Sequence, residues 1–231
     1  MSIDVVRKDI KNMHLSVNPP DGHVKIASPL RIDDEAIRLF AISKLSWIKK
    51  QQNKFASQIR QSPREYSTRE SHYYKGSRYL LSIIEVESVK EQAVYLKRNQ
   101  LILQIAKSAT VEHKKKIIKE WYRTELKKEI PQLITKWEKK IGVQVNGWNV
   151  RQMKTKWGSC NIENKTILLN LELAKKPLKC LEYIIVHELL HLLERNHNDR
   201  FLKLLDKYFP RWGLFKEELN RFPISHPDWE Y

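Results

Sequence analysis

Three features of the sequence predict an α+β fold. Short β-rich runs with alternating apolar residues occupy much of the first 106 positions. A 3.6-residue apolar period runs from Thr110 to about Lys140. Strand patterns then lead into a second helix, near residue 180, that is apolar on nearly every side. The expected organisation is a basic, antiparallel β-rich region with one helix over residues 1–107, followed by a helix-rich domain over 108–231.

Taken in order, Met13 to Val17 and Val24 to Ile26 alternate around the turn Pro19-Pro20-Asp21-Gly22, which predicts a hairpin closed by Ser28-Pro29. Asp33 has the chemistry of an N-cap, and Asp34 and Glu35 suit the first turn that follows. Ile37, Phe40, Ala41, Leu45 and Ile48 continue at helical spacing, predicting one helix out to about Phe55. Gln61 to Glu70 lacks periodicity and reads as a loop. Ser77 to Glu87, Ala93 to Leu96 and Leu101 to Ala106 are rich in β-branched and aromatic residues and predict a small antiparallel sheet. Thr110 caps the long helix, along which Ile117, Trp121, Ile130, Ile134 and Trp137 recur, and Pro131 should kink or interrupt it. Val143, Val145, Trp148 and Val150 alternate, and Lys165 to Leu171 reads as a strand ahead of the helix opened by Pro177. Such a strand could offer free backbone groups to an extended peptide or be an ordinary core strand with a covered edge. Asp199 can cap a further helix carrying Phe201, Leu204, Leu205 and Tyr208, ended by Pro210, and the tail from Phe222 is expected to be irregular.

The chemistry lies in His187-Glu188-Leu189-Leu190-His191 and in His197. Two histidines four apart on a helix lie about 40° apart around the axis and one turn apart along it, so both imidazoles can reach one ion. Glu188 projects about 100° away from His187, which suits a base better than a ligand. Continued as helix, His197 would lie about 1000° of rotation past His187, so it can coordinate only if the helix stops first. Asn196, which tolerates the left-handed conformation, is the expected stop. HExxH alone is short, but its neighbours Ile184, Ile185, Val186, Leu189, Leu190, Leu192 and Leu193 bury the segment. Burying two imidazoles and a carboxylate costs several kcal/mol unless they are paired or ligated. The expected site is a Zn2+ bound by His187, His191 and His197 with one water, and Glu188 as the catalytic base. Tyr183, Arg151 and Asn170 are the local candidates for contacts to substrate or transition state.

Composition narrows the remaining classes. The formal net charge is +16, and residues 1–140 carry 29 Lys+Arg against 16 Asp+Glu, so the excess is amino-terminal. Such a field favours acidic partners, nucleotide or nucleic acid among them, or forms a solvated basic surface. Trp47-Ile48-Lys49-Lys50 and Tyr73-Tyr74-Lys75 mix aromatic and basic residues as stacking surfaces do. Cys160 and Cys180 form no CxxC pair, so no disulfide framework or thiolate zinc knuckle is indicated. No GxxxxGK[ST] loop is present, and no apolar run approaches a membrane span. The opening residues Met1 to Ile10 mix both charges, so the chain is expected to be cytoplasmic, with no membrane association.

The run Arg151 to Cys160, the strand ending Leu169-Asn170, and the HExxH segment through Asn196-His197 to Phe201 together resemble the YgjP-like zinc metallopeptidase-domain family, related to the SprT-like proteases. The likeness extends upstream through the hairpin, Ser46-Trp47-Ile48, the Gly76 to Tyr79 turn and the long helix. The resemblance implies zinc at His187, His191 and His197, catalysis by Glu188, and a zincin-like core of active-site helix, backing helix and mixed sheet. The resemblance specifies the hydrolytic machinery rather than what is hydrolysed, and a polypeptide is the default expected substrate. Glu194 stands where the metzincin variant of this spacing has a turn glycine, which argues against that variant. The charge skew keeps two other readings open: a metal-dependent nucleoside triphosphate pyrophosphohydrolase, and a nucleic-acid-associated protein with a zinc site.

Overall fold

The computed structural model describes residues 2–18, 22–56, 65–153 and 156–221, and these form two compact units, one within Met1–Arg60 and the other within Gln61–Ser225. The Pro19-Pro20-Asp21 turn, the loop start at Gln61 and the tail from Phe222 lie outside the described residues.

In the first unit, β2 (His14–Asn18) and β3 (His23–Pro29) make the expected antiparallel hairpin. β1 (Ile3–Lys8), where the sequence shows only mixed charge, adds to the other side of β3 in parallel. This sheet is therefore mixed rather than antiparallel, because alternation reveals a strand but not the direction of its partner. Asp33 caps α1 (Asp34–Ser43), its carboxylate accepting from Ala36 N at 2.7 Å. The expected single helix is two: α1 ends at Lys44, whose N–H bonds the Ala41 carbonyl at 3.2 Å, and α2 (Leu45–Ala56) starts anew. Ile26, Ile37 and Ala41 form a small separate core.

The second unit begins with β4 (Ser71–Tyr74), β5 (Ser77–Val86), β6 (Ala93–Lys97) and β7 (Gln100–Ala106), in the spatial order β4-β5-β7-β6. β5 and β7 run parallel and the outer pairs antiparallel, so this sheet too is mixed. It belongs with the helices that follow, because Leu81, Leu101, Leu103 and Ile105 share one core with them. The β4–β5 turn places Lys75 and Gly76 at positive φ, the requirement of a two-residue hairpin turn. Its backbone docks on the segment ahead of the metal helix: Lys75 N donates to Ala174 O at 2.9 Å and Gly76 N to Lys175 O at 3.1 Å. A Cβ at residue 76 would stand 2.8 Å from Pro177 Cγ, so glycine is needed here for close approach as well as for conformation.

α3 (Val111–Ile141) is capped by Thr110, whose hydroxyl accepts from His113 N, and it runs unbroken through Pro131. It ends at Gly142 in the left-handed conformation, with Gly142 N and Val143 N both bonded to Glu138 O. Its buried seam is Ile118, Tyr122, Leu126, Ile130, Ile134, Trp137 and Ile141. Next come β8 (Gly147–Arg151), β9 (Gly158–Asn161) and β10 (Thr166–Asn170), with β10 central, parallel to β8 and antiparallel to β9. A 3-10 turn over Leu171–Lys175 leads to α4 (Leu178–Leu190), and α5 (Asp199–Tyr208) and α6 (Trp212–Arg221) complete the unit. The N-cap of α5 is Asn198 rather than Asp199, its side chain accepting from Phe201 N at 3.0 Å. No helix among the described residues is long and apolar enough to cross a membrane.

α4 is held against α3 by a buried carboxylate. Glu182, 4% exposed, accepts from Lys136 Nζ at 2.6 Å, Lys179 Nζ at 2.7 Å and Trp137 Nε1 at 3.0 Å. Burial alone would raise its pKa, but these donors outweigh it and hold the carboxyl below its usual range. Glu182→Gln is expected to cost about 1–3 kcal/mol at neutral pH, read by urea unfolding. A lowered folded pKa stabilises the fold fully above the unfolded value of about 4.3 and loses that contribution as pH falls through the folded value. The gap between wild type and variant should therefore close below about pH 4, and a gap that widens with acid would refute the assignment.

Candidate metal centre and active site

α4 is buried along nearly its whole length, including Leu181, Ile185, Val186, Leu189 and Leu190. His187 and His191 project from one side of it, and His191 is its last-turn cap. Their ring centroids are 5.0 Å apart, and those of His197 lie 4.8 Å from His187 and 4.7 Å from His191. Phe201, 1% exposed at the start of α5, packs against all three rings at 4.8–5.0 Å and stacks on His191. The three sequence-predicted histidines therefore converge over one aromatic support.

His197 is brought round differently from the expectation. The helix stops at Leu190, and Asn196 does not adopt the left-handed conformation. Past the stop the chain tightens: Leu192 N bonds Leu189 O at 3.1 Å, and Leu193 N and Glu194 N both bond Leu190 O at 2.9 Å. Glu194 then organises the return. Its carbonyl lies 3.1 Å from His191 Nδ1, and its carboxylate accepts from Asn196 N at 3.4 Å. Its own φ is not positive, so this route needs no glycine at 194.

The donor set fits a divalent cation. One ligand atom from each histidine lies within 4.8 Å of the other two, and His187 Nε2 and His197 Nε2 are 2.9 Å apart. Nitrogens about 2.0–2.1 Å from a tetrahedral ion stand about 3.4 Å from one another, within that spread. The Glu194 carbonyl beside His191 Nδ1 keeps the proton there and leaves Nε2 with its lone pair. Burial, then the neighbouring His191 and His197 and Lys216, pushes the His187 pKa down to about 3, and burial also lowers that of His191. Both rings are thus in the neutral, ligating form at neutral pH. His187 Nδ1 is buried with no hydrogen-bond partner among the described residues.

Glu188 is 4% exposed, and burial pushes its pKa up to about 8, against an opposing pull from Lys156. It lies over Gly158 at the start of β9. A Cβ on residue 158 would sit 2.5 Å from Glu188 Oε1 and 2.8 Å from Ile184 Cγ2. The open cleft in front, about 1020 Å³, is bounded by β9 on one side and by α4 and the His197 loop on the other, with Lys216 and Leu219 of α6 also on its wall.

Of the three remaining candidates, Tyr183 lines the cleft, with its ring edge-on to His187 at 6.0 Å. Burial, then Glu188, raises its pKa to about 12, so it remains a neutral hydroxyl. Arg151 on β8 and Asn170 on β10 do not line the cleft. Asn170 is fully buried and spends its side chain on backbone: Nδ2 donates to Met153 O at 2.9 Å and Lys156 O at 2.7 Å, while Oδ1 accepts from Glu172 N at 3.1 Å and Met153 N at 3.3 Å. It fixes both ends of the segment that delivers Trp157 and Gly158 to the site. In the sequence Gly158 stands out only as part of the family-like run Arg151 to Cys160, with no role attached to it. α6 was also missed, and Lys216 with it. Of the two alternatives for the strand over Lys165 to Leu171, a free edge or a covered core strand, the structure has the second: β10 is paired on both sides, and β9 is the edge strand beside the cleft.

The family model described as YgjP-like, metallopeptidase domain, matches residues 11–222. Two solved structures are similar in part. The metallopeptidase zymogen abylysin of Pyrococcus abyssi is 23% identical, with 40% of this chain and 96% of that one covered and a TM-score of 0.36. The metallopeptidase zymogen jannalysin of Methanocaldococcus jannaschii is 27% identical, with 38% and 88% covered and a TM-score of 0.33. No curated protein matches the chain.

The contact between Gly158 and Glu188 makes a specific demand. Gly158→Ala should leave the bound-metal stoichiometry unchanged while lowering peptide hydrolysis by about 10- to 100-fold, since displacing a reacting group by about 1 Å costs that much. Metal analysis beside kcat on the same preparation checks it. Wild-type kcat in the variant would show that the carboxylate's position over residue 158 is immaterial.

Proposed function

The chain belongs to the YgjP-like metallopeptidase-domain family, and on that premise we propose a zinc-dependent peptidase in which His187, His191 and His197 hold the metal and Glu188 is the general base. The observation that carries this reading is the convergence of three imidazoles beside a buried carboxylate that faces an open cleft. A closed structural zinc site has no use for such a carboxylate or cleft.

Zinc supplies Lewis acidity, bringing the pKa of water towards neutrality and polarising a carbonyl. The chain's own residues do the rest. Neutral His187 and His191 present lone pairs. Glu188 carboxylate accepts the proton of the attacking water and passes it to the leaving amine. Its burial at the cleft wall keeps the carboxyl out of bulk solvent between taking that proton and giving it up. Tyr183 stands one turn before His187 on the cleft wall, where a neutral phenol can donate to a developing oxyanion. β9, an edge strand along the cleft, offers backbone N–H and C=O groups to a substrate in extended conformation.

Glu188→Gln should keep about one zinc per chain and lower kcat by about 10²- to 10⁴-fold, whereas His191→Ala should lose the metal. Metal analysis and turnover of unfolded protein, with nucleoside triphosphates screened alongside, measure both. A wild-type rate in Glu188→Gln would overturn the base assignment, and a chain that takes up no zinc would overturn the metal assignment.

A further inference from the structure

Several lysines of the second unit that lie near α3 and α4 have carboxylate partners. Lys75 pairs with Glu129, Lys128 with Glu125, Lys175 with Glu172, and Lys136 and Lys179 share Glu182. Three cations without such partners among the described residues share the lining of one cleft. Lys156 enters β9, Arg195 lies on the loop carrying His197, and Lys216 projects from α6. All three are exposed, and none has a carboxylate within ion-pair distance among the described residues; Lys216 lies 5.4 Å over the Trp212 ring. Besides buried Glu188, the cleft lining has one carboxylate, Glu163, in the turn beyond the far end of β9.

Three separate segments thus bring uncompensated positive charge to the mouth of one cleft, whose walls focus its field. We propose that the cleft selects peptides with acidic side chains flanking the scissile bond, and that Lys156, Arg195 and Lys216 are the residues that read them. The proposal rests on the peptidase reading and adds a substrate class to it. An extended peptide against β9 places alternate side chains on each side of the strand, so carboxylates on neighbouring alternate positions can reach cations on both walls. These contacts are exposed, so their effect falls with ionic strength.

The test uses zinc-loaded full-length Glu188→Gln and three fluorescent peptides of equal length, with Asp/Glu, Ser/Gln or Lys/Arg around a common central pair, followed by anisotropy. The same peptides are given to the wild-type enzyme for turnover. The acidic peptide should bind about 10-fold more tightly than the basic one at low salt, narrowing to about 2-fold at 0.5 M. The triple change Lys156→Glu, Arg195→Glu and Lys216→Glu, with zinc content as the check on folding, should reverse the order. Equal binding of the three peptides overturns the proposal, as does an acidic preference that survives the triple change. Glu188-dependent cleavage without charge preference overturns this proposal alone. Absence of any Glu188-dependent peptide cleavage overturns the peptidase reading and the substrate class with it. Glu188-dependent hydrolysis of a nucleoside triphosphate in that case would assign the cations to phosphate.

Discussion

Burial of α4 is the constraint on which the rest of the second unit depends. An exposed helix could carry histidines at no cost, but here the helix is apolar nearly all round and packs against α3, α5, α6, β9 and β10. Every polar group on it must therefore be answered by a neighbour or accept a shifted charge state. Two glutamates six residues apart show the two outcomes. Glu182 meets three donors and stays ionised, pinning α4 to α3. Glu188 has no hydrogen bond or ion pair among the described residues, and its pKa rises to about 8. One helix thus holds a carboxylate committed to structure and another left uncommitted, as chemistry requires.

Answering the polar groups also decides which other residues are constrained. The 3-10 turn before α4 receives the Lys75-Gly76 hairpin turn, so the four-stranded sheet sets where the helix begins. At its other end, Glu194 fastens His191 and Asn196 with one side chain and one carbonyl, setting where His197 arrives. Phe201 supports all three rings only because Asn198 starts α5 just after the return. The loops that frame the three-histidine cluster are held by these hydrogen bonds.

What was legible in the sequence follows from which interactions are local. The caps at Asp33 and Thr110, the long apolar seam of α3 and the i, i+4 histidines of α4 rest on contacts within one or two turns, and the structure carries each of them. Partner direction is not local, so β1 beside β3 and the parallel β5–β7 pair were invisible to alternation. Asn196 was a reasonable stop by its conformational tolerance, but the chain turned earlier through tight backbone bonds that any residue can make. Asn170 illustrates a further limit. Its residue type suits a substrate contact as well as a loop clamp, and only the position of the Met153 and Lys156 carbonyls decides for the clamp. Gly158 is the converse, since a missing side chain becomes informative only when Glu188 is seen to fill its place.

β9 joins these threads. Its first residue must be glycine for Glu188 to lie flat against the strand, and Asn170 holds the segment that leads into it. One of its edges pairs with β10, and its residues line the cleft. A substrate strand added there would continue the sheet across the front of the histidines, and its distance from Glu188 would be set by a backbone contact rather than by a flexible side chain. On the proposed function, the same strand would set both the base and the bond to be cleaved from one backbone reference. Lys156 at its entry and Glu163 beyond its end give that reference a charge polarity along its length. On the proposed function, a peptide laid on β9 would meet this polarity on its way to the histidines, so that one element would bear on both its direction and its position.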